Sequence, residues 1–138
     1  GLDSKKEHFL RAIFEGVACL LRENLELIEA VNHLHVGEIR SLGGGAKSAF
    51  WTQMRAVISG RALIVPAMTE AASTGAALLA AWGAGIVPRG TYPAALSRTR
   101  AALQPNADAT DAYTAGYRRF LALFEALKSV YDKEEFFL

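Results

Sequence analysis

Four consecutive apolar residues, Ala62-Leu63-Ile64-Val65, closed by Pro66, do most to limit how this chain can fold. A run of this length has no polar face to turn to water, so it reads as a strand covered on both faces. The stretches on either side repeat their apolar residues every three or four positions, as helices do. Helices alternating with strands belong to an α/β layer. Upstream, Leu10, Ile13, Phe14, Val17, Leu21, Leu25 and Ile28 predict a helix with one buried face, ending near Ala30 or Val31. Ser4 and Glu7 have the spacing of a capping box that starts it. Gly16 costs such a helix roughly 1 kcal/mol relative to alanine, which points to another backbone packed against that turn.

After the His33-Leu34-His35 link, Glu38 to Leu42 predicts a short strand that runs into three glycines. Helical spacing returns from Lys47, with Phe50, Trp51, Met54 and Ile58 on one side and Gly60 as the stop. Beyond the apolar strand, Thr69 is placed to cap a third helix, with Glu70 in its first turn. That helix carries Ala71, Ala72, Gly75, Ala76, Ala77 and Ala80, small enough to let its axis lie close to a sheet, and Gly83 and Gly85 end it. Pro88, Gly90, Pro93 and Pro105 mark a long excursion with a helical stretch around Leu96 to Leu103. A last helix begins near Asp108 or Thr110, with Tyr113, Tyr117, Phe120, Leu121, Phe124, Leu127 and Tyr131 as a core-facing stripe. The expectation is a helix-rich α/β domain with two strands. Two are too few for a stable sheet, so further strands are expected outside these residues.

Composition narrows the function. A hydrophobic share of 51% suits one globular domain or a large part of one, and the charges nearly balance, 15 Lys plus Arg against 14 Asp plus Glu. No basic run tracks a phosphate backbone, so nucleic acid is not an expected partner. Nor is a membrane: Ala71 to Val87 is rich in Ala and Gly, falls short of the ~20 strongly apolar residues that span a bilayer, and reads as a buried helix. The single Cys19 has no disulfide partner, which fits a reducing cytoplasm, and it reads as a buried structural thiol. His33 and His35 lack a third ligand candidate, so no metal site is assigned. Asp108, Asp111, Glu134 and Glu135 read as cap or surface charges.

The informative motif is Gly43-Gly44-Gly45-Ala46-Lys47-Ser48 at a strand-to-helix turn. Missing side chains let backbone approach a flat or phosphorylated ligand, and free N–H groups at a helix start can receive acceptor atoms. A glycine-rich connection with no ligand reads equally well from these residues, and Lys47 as a solvated helix-start residue. The motif is neither a Walker loop nor the dinucleotide-binding fingerprint. The ordered set is wider: Gly43 to Gln53 (Gly-Gly-Gly-Ala-Lys-Ser-x-x-Trp-x-Gln), Gly60, the strand to Val65, Glu70, Gly75-Ala76-Ala77 and Gly83-Ala84-Gly85, preceded by Phe14-Glu15-Gly16-Val17-Ala18. This set resembles the C-terminal domain of the FGGY carbohydrate kinases, xylulokinase-like members above all, well from Gly1 to Gly85 and loosely beyond.

The resemblance implies that residues 1–138 are a single C-terminal domain with part of an actin-like, ribonuclease-H-like ATPase fold, the N-terminal sugar-binding domain being absent. It implies ATP in an interdomain cleft, with Gly44 and Gly45 against its adenosine part and Ala46 and Ser48 lining the same pocket. The implied chemistry is transfer of the γ-phosphate of ATP, with Mg²⁺, to a hydroxyl of a small sugar or polyol, a xylulose-like ketose first. The family's catalytic aspartate lies upstream of the matched stretch, so the resemblance assigns no catalytic residue and implies that these residues alone are inactive. Ala49 and Val57 stand where relatives carry Asn and Asp, while Glu70 matches an acidic position. A homodimer fits the same picture. The alternatives are a non-catalytic nucleotide-binding module and a structural or oligomerising one.

Overall fold

The structure, a computed structural model, describes residues 5–68 and 70–131. Its elements are α1 (Lys6–Asn32), β1 (Glu38–Arg40), α2 (Ala49–Ser59), β2 (Ala62–Pro66), α3 (Ala71–Gly83), β3 (Thr99–Leu103) and α4 (Ala107–Tyr131), with 3₁₀ turns at Gly44–Lys47 and Ala94–Ser97. Ser4, Thr69, Glu134 and Glu135 lie outside the described residues, as does the side chain of Tyr131. The chain forms two compact units, one of residues 35–56 and 61–104, the other of residues up to 34, 57–60 and from 105 onward.

The first unit holds the sheet. Central β2 pairs in parallel with β1 (Glu38↔Ala62, Ile39↔Leu63, Arg40↔Ile64) and antiparallel with β3 (Leu63↔Leu103, Ile64↔Ala102, Val65↔Ala101). The third strand corrects the helical stretch expected around Leu96 to Leu103. Ladder pairing along β2 outweighs weak local preference there, and the Ala67 N–H extends it by donating to the Arg98 carbonyl at 2.7 Å. Leu63 and Val65 are 0% and 1% exposed, whereas Ala62 and Ile64 are only half-buried. β2 is thus covered fully on one face rather than on both. Met54, Ala56 and Ala46 complete this small core.

α3 also departs from expectation. Its small residues are present, yet none of the described residues in it is buried, so no sheet closes on it here. The helix begins after Glu70, which sits at its cap rather than in its first turn and makes no side-chain capping bond. Beyond it Gly85 turns with φ 69°, and the Trp82 indole N–H donates to the Thr91 carbonyl at 3.0 Å.

In the helical unit, α1 starts at Lys5, whose N–H donates to His8 Nδ1 at 3.1 Å. It ends at His33, in the left-handed region at φ 52°, where the His33 and Leu34 N–H groups both return to the Glu29 carbonyl. Only Ala18 and Cys19 of α1 are buried, while Leu10, Ile13, Phe14, Val17 and Ile28 are 40–63% exposed. The apolar stripe is real, but the described residues do not cover it. Gly16 likewise has nothing within 4 Å of where a side chain would start, so no backbone packs there among the described residues. α4 is capped by Asn106, whose Oδ1 accepts the Ala109 N–H at 3.0 Å. Tyr117 is buried on its stripe, but Phe124 and Leu127 are exposed.

Polar groups tie α4 to α1. The Tyr113 hydroxyl donates to Glu15 Oε1 at 2.8 Å and accepts from Arg11 Nη2 at 2.6 Å, and Arg11 pairs with Glu15 at 2.8 Å. Eleven residues further along α1 the arrangement recurs. Tyr117 donates to Glu26 at 2.7 Å, Arg22 pairs with Glu26 at 2.8 Å, and the Arg22 guanidinium lies 4.2 Å from the Tyr117 ring centroid. Burial, then the bond to Glu26, raises the Tyr117 pKa above the usual tyrosine value. Thr110 Oγ1 donates to the Val57 carbonyl at 2.8 Å, so the tail of α2 belongs to this unit.

Candidate functional site

The glycine motif folds as a single 3₁₀ turn between β1 and α2, and its three glycines serve three different ends. Gly43 has φ 76° and ψ −169°, a conformation essentially confined to glycine. A side chain at Gly45 would begin 3.4 Å from the Trp51 indole. At Gly44 nothing lies within 4 Å of where a side chain would start, and the residue is exposed. The fold needs glycine at 43, a side chain at 45 would start in contact with the Trp51 indole, and neither backbone conformation nor packing accounts for glycine at 44.

The residues after the glycines are engaged in different ways. Ala46 is 3% exposed; its N–H donates to the Gly43 carbonyl at 3.1 Å, and its own carbonyl accepts from Arg100 Nη2 on β3 at 3.1 Å. Ala46 is buried as a whole and both its backbone groups are engaged, so it presents almost no surface of its own to a ligand. Ser48 is the N-cap of α2: its Oγ accepts the Trp51 N–H at 3.2 Å, leaving the hydroxyl proton free to donate. Gly44, Gly45 and Ser48 are exposed along one short turn that leads into the positive end of a helix dipole.

Around the turn, Lys47 Nζ lies 2.9 Å from Glu70 Oε1, joining two residues that separately read as a solvated lysine and a dipole charge. Both are about 60% exposed, so the pair contributes little to stability. The Arg55 guanidinium lies 5.1 Å from the Trp51 ring centroid and donates to the buried Ser41 hydroxyl at 2.7 Å. Burial pulls the Arg55 pKa below the usual arginine value. Arg100 was missed by sequence reasoning, since it falls where a helix was expected. A nearby groove of about 320 Å³, lined by Arg40, Leu42, Pro66, Thr74, Gly75 and Tyr92 among others, holds none of the motif residues. Among the described residues, no three His, Cys, Asp or Glu side chains gather to hold a metal, and no helix is long and apolar enough to cross a membrane.

Known proteins resemble this chain in sequence and in fold. The chain is 36% identical over 123 residues to a probable L-xylulose kinase of Haemophilus influenzae, an alignment covering 89% of this chain and 24% of that protein. It superposes on a xylulose kinase from Rhodospirillum rubrum with a TM-score of 0.77 at 24% identity, covering 96% of this chain and 27% of that one. On a Plasmodium falciparum glycerol kinase solved with ADP the TM-score is 0.72 at 21% identity, covering 88% and 25% respectively. These likenesses bear out the expected fold class, part of an actin-like, ribonuclease-H-like ATPase domain. The chain spans about a quarter of the length of these relatives. Residues 1–84 match the C-terminal domain of the FGGY family of carbohydrate kinases, and the chain belongs to that family.

Proposed function

We propose that this chain is the C-terminal, ATP-binding part of a kinase that transfers the γ-phosphate of ATP to a hydroxyl of a small sugar or polyol, a xylulose-like ketose foremost. The observation that carries the reading is Gly44: an exposed glycine with open space above it, which neither backbone conformation nor packing requires. A bare backbone there lets the adenosine part of a nucleotide rest against Gly44 and Gly45, with the Ser48 hydroxyl as a nearby donor. ATP supplies the phosphoryl group, and the chain's own part is to seat and orient the nucleotide. With no acidic cluster among the described residues, Mg²⁺ is assigned no ligand here. No catalytic base is assigned either, and residues 1–138 alone are expected to be inactive. A cytoplasmic location and a homodimer complete the proposal.

The test is calorimetric binding of ADP by the full-length protein, with an ATP-dependent phosphorylation screen across ketoses and polyols. Turnover of a sugar with loss of ADP affinity in Gly44→Val supports the proposal, because a side chain at 44 starts in open space within the protein. Nucleotide binding without any phosphorylation moves the chain to a non-catalytic module. Absence of both leaves a structural or oligomerising domain.

A further inference from the structure

We propose that Arg100 on β3 is a positioning residue that sets the nucleotide affinity of the glycine turn, an inference that rests on reading that turn as the ATP site. Ala46 is the pivot of the turn. Its N–H is spent on the Gly43 carbonyl at 3.1 Å, its methyl is buried, and its carbonyl is held by Arg100 Nη2 at 3.1 Å from 54 residues away in the chain. A hydrogen bond from a charged donor is about twice as strong as a neutral one. With both backbone groups engaged and the side chain enclosed, Ala46 cannot rotate without breaking one of these contacts. The orientation of the adjoining Gly44 and Gly45 peptides, which the nucleotide must meet, is therefore fixed from outside the turn.

Two further contacts make β3 a firm support for that grip. β3 is laddered to the buried β2 through Leu103, Ala102 and Ala101. Gln53 Nε2 of α2 donates to the Gln104 carbonyl just past β3 at 3.0 Å, so the helix that follows the turn is fastened to the same place. Arg100 and Gln104, the distant ends of these contacts, thus lie beyond the stretch, residues 1–84, that carries the family match.

The experiment measures ADP binding by calorimetry, and the KM values for ATP and sugar, in the full-length protein and its Arg100→Met, Arg100→Lys and Gly44→Val variants. Arg100→Met is expected to weaken ADP binding and raise the ATP KM about tenfold, the size of losing one charged hydrogen bond, with the sugar KM unchanged. Arg100→Lys, which keeps a charged donor, recovers most of the loss. Should Arg100→Met fail to fold, Arg100→Gln takes its place with the same expectation. Native ADP affinity in the neutral variant, or an equal rise in both KM values, overturns the positioning role. If Gly44→Val loses ADP while the neutral Arg100 variant keeps it, only the positioning role falls. If Gly44→Val binds ADP normally, the turn is not the nucleotide site and both readings fall.

Discussion

In the sheet-bearing unit, cohesion comes from small apolar groups: Leu63 and Val65 on β2, Met54 and Ala56 on α2, and the Ala46 methyl in the turn. In the helical unit, Ile58, Val57, Ala18 and Cys19 are buried, but α1 and α4 also meet through directed bonds, Tyr113 to Arg11 and Glu15 and Tyr117 to Glu26 beneath Arg22, while many of α1's large apolar residues are exposed. Apolar burial is insensitive to direction, whereas a tyrosine hydroxyl between a guanidinium and a carboxylate tolerates little displacement. The unit that carries the candidate site is therefore held mainly by packing, and its companion by packing around Ile58 and Ala18 together with these directed bonds.

The comparison breaks most readily at the core of the sheet. Leu63→Ala should cost about 2–5 kcal/mol, read from urea unfolding, because a side chain with no exposure leaves a cavity. A loss below about 1 kcal/mol is too small for a filled core position and would mean that packing does not hold this unit. Gly43→Val should come next, at roughly 1–3 kcal/mol for forcing a side chain into a glycine-only conformation. Tyr117→Phe tests the helical unit, with an expected loss of about 1–2 kcal/mol for a buried bond to a carboxylate. Its pH dependence sharpens the contrast. The folded pKa of Tyr117 is raised, so its contribution is intact below the unfolded value of about 10 and is lost as pH climbs above it. Tyr117→Phe should flatten that alkaline decline. Smallest of all, Lys47→Ala should change stability by less than about 0.5 kcal/mol, since the exposed pair with Glu70 is open to solvent.

The sequence was most legible where one local rule acts alone. The run Ala62-Leu63-Ile64-Val65 became a strand, Gly60 ended α2 with φ 66°, and the glycine motif sat at a strand-to-helix turn. Reading failed where the deciding partner was distant. β3 is a strand because β2 offers it a ladder, which nothing in Thr99 to Leu103 announces. The stripes of α1 and α4 announce burial without saying what provides it, and among the described residues much of each stays exposed. At the site, Gly44, Gly45 and Ser48 were legible as an open turn, but the burial of Ala46 and the grip of Arg100 depend on β3 and were not.

The Trp51 indole, beside the place a Gly45 side chain would take, gives the turn its own optical reporter. The chain has two tryptophans, and the other, Trp82, is bonded to Thr91 in the excursion that follows α3. With its indole 3.4 Å from where a Gly45 side chain would begin, and a guanidinium close to its ring, Trp51 emission should respond if a nucleotide occupies the turn, without any attached dye. Replacing Trp82 with phenylalanine would leave a single tryptophan in this chain, and with excitation at the red edge, where its four tyrosines do not absorb, quenching or a blue shift on titration would follow the ligand.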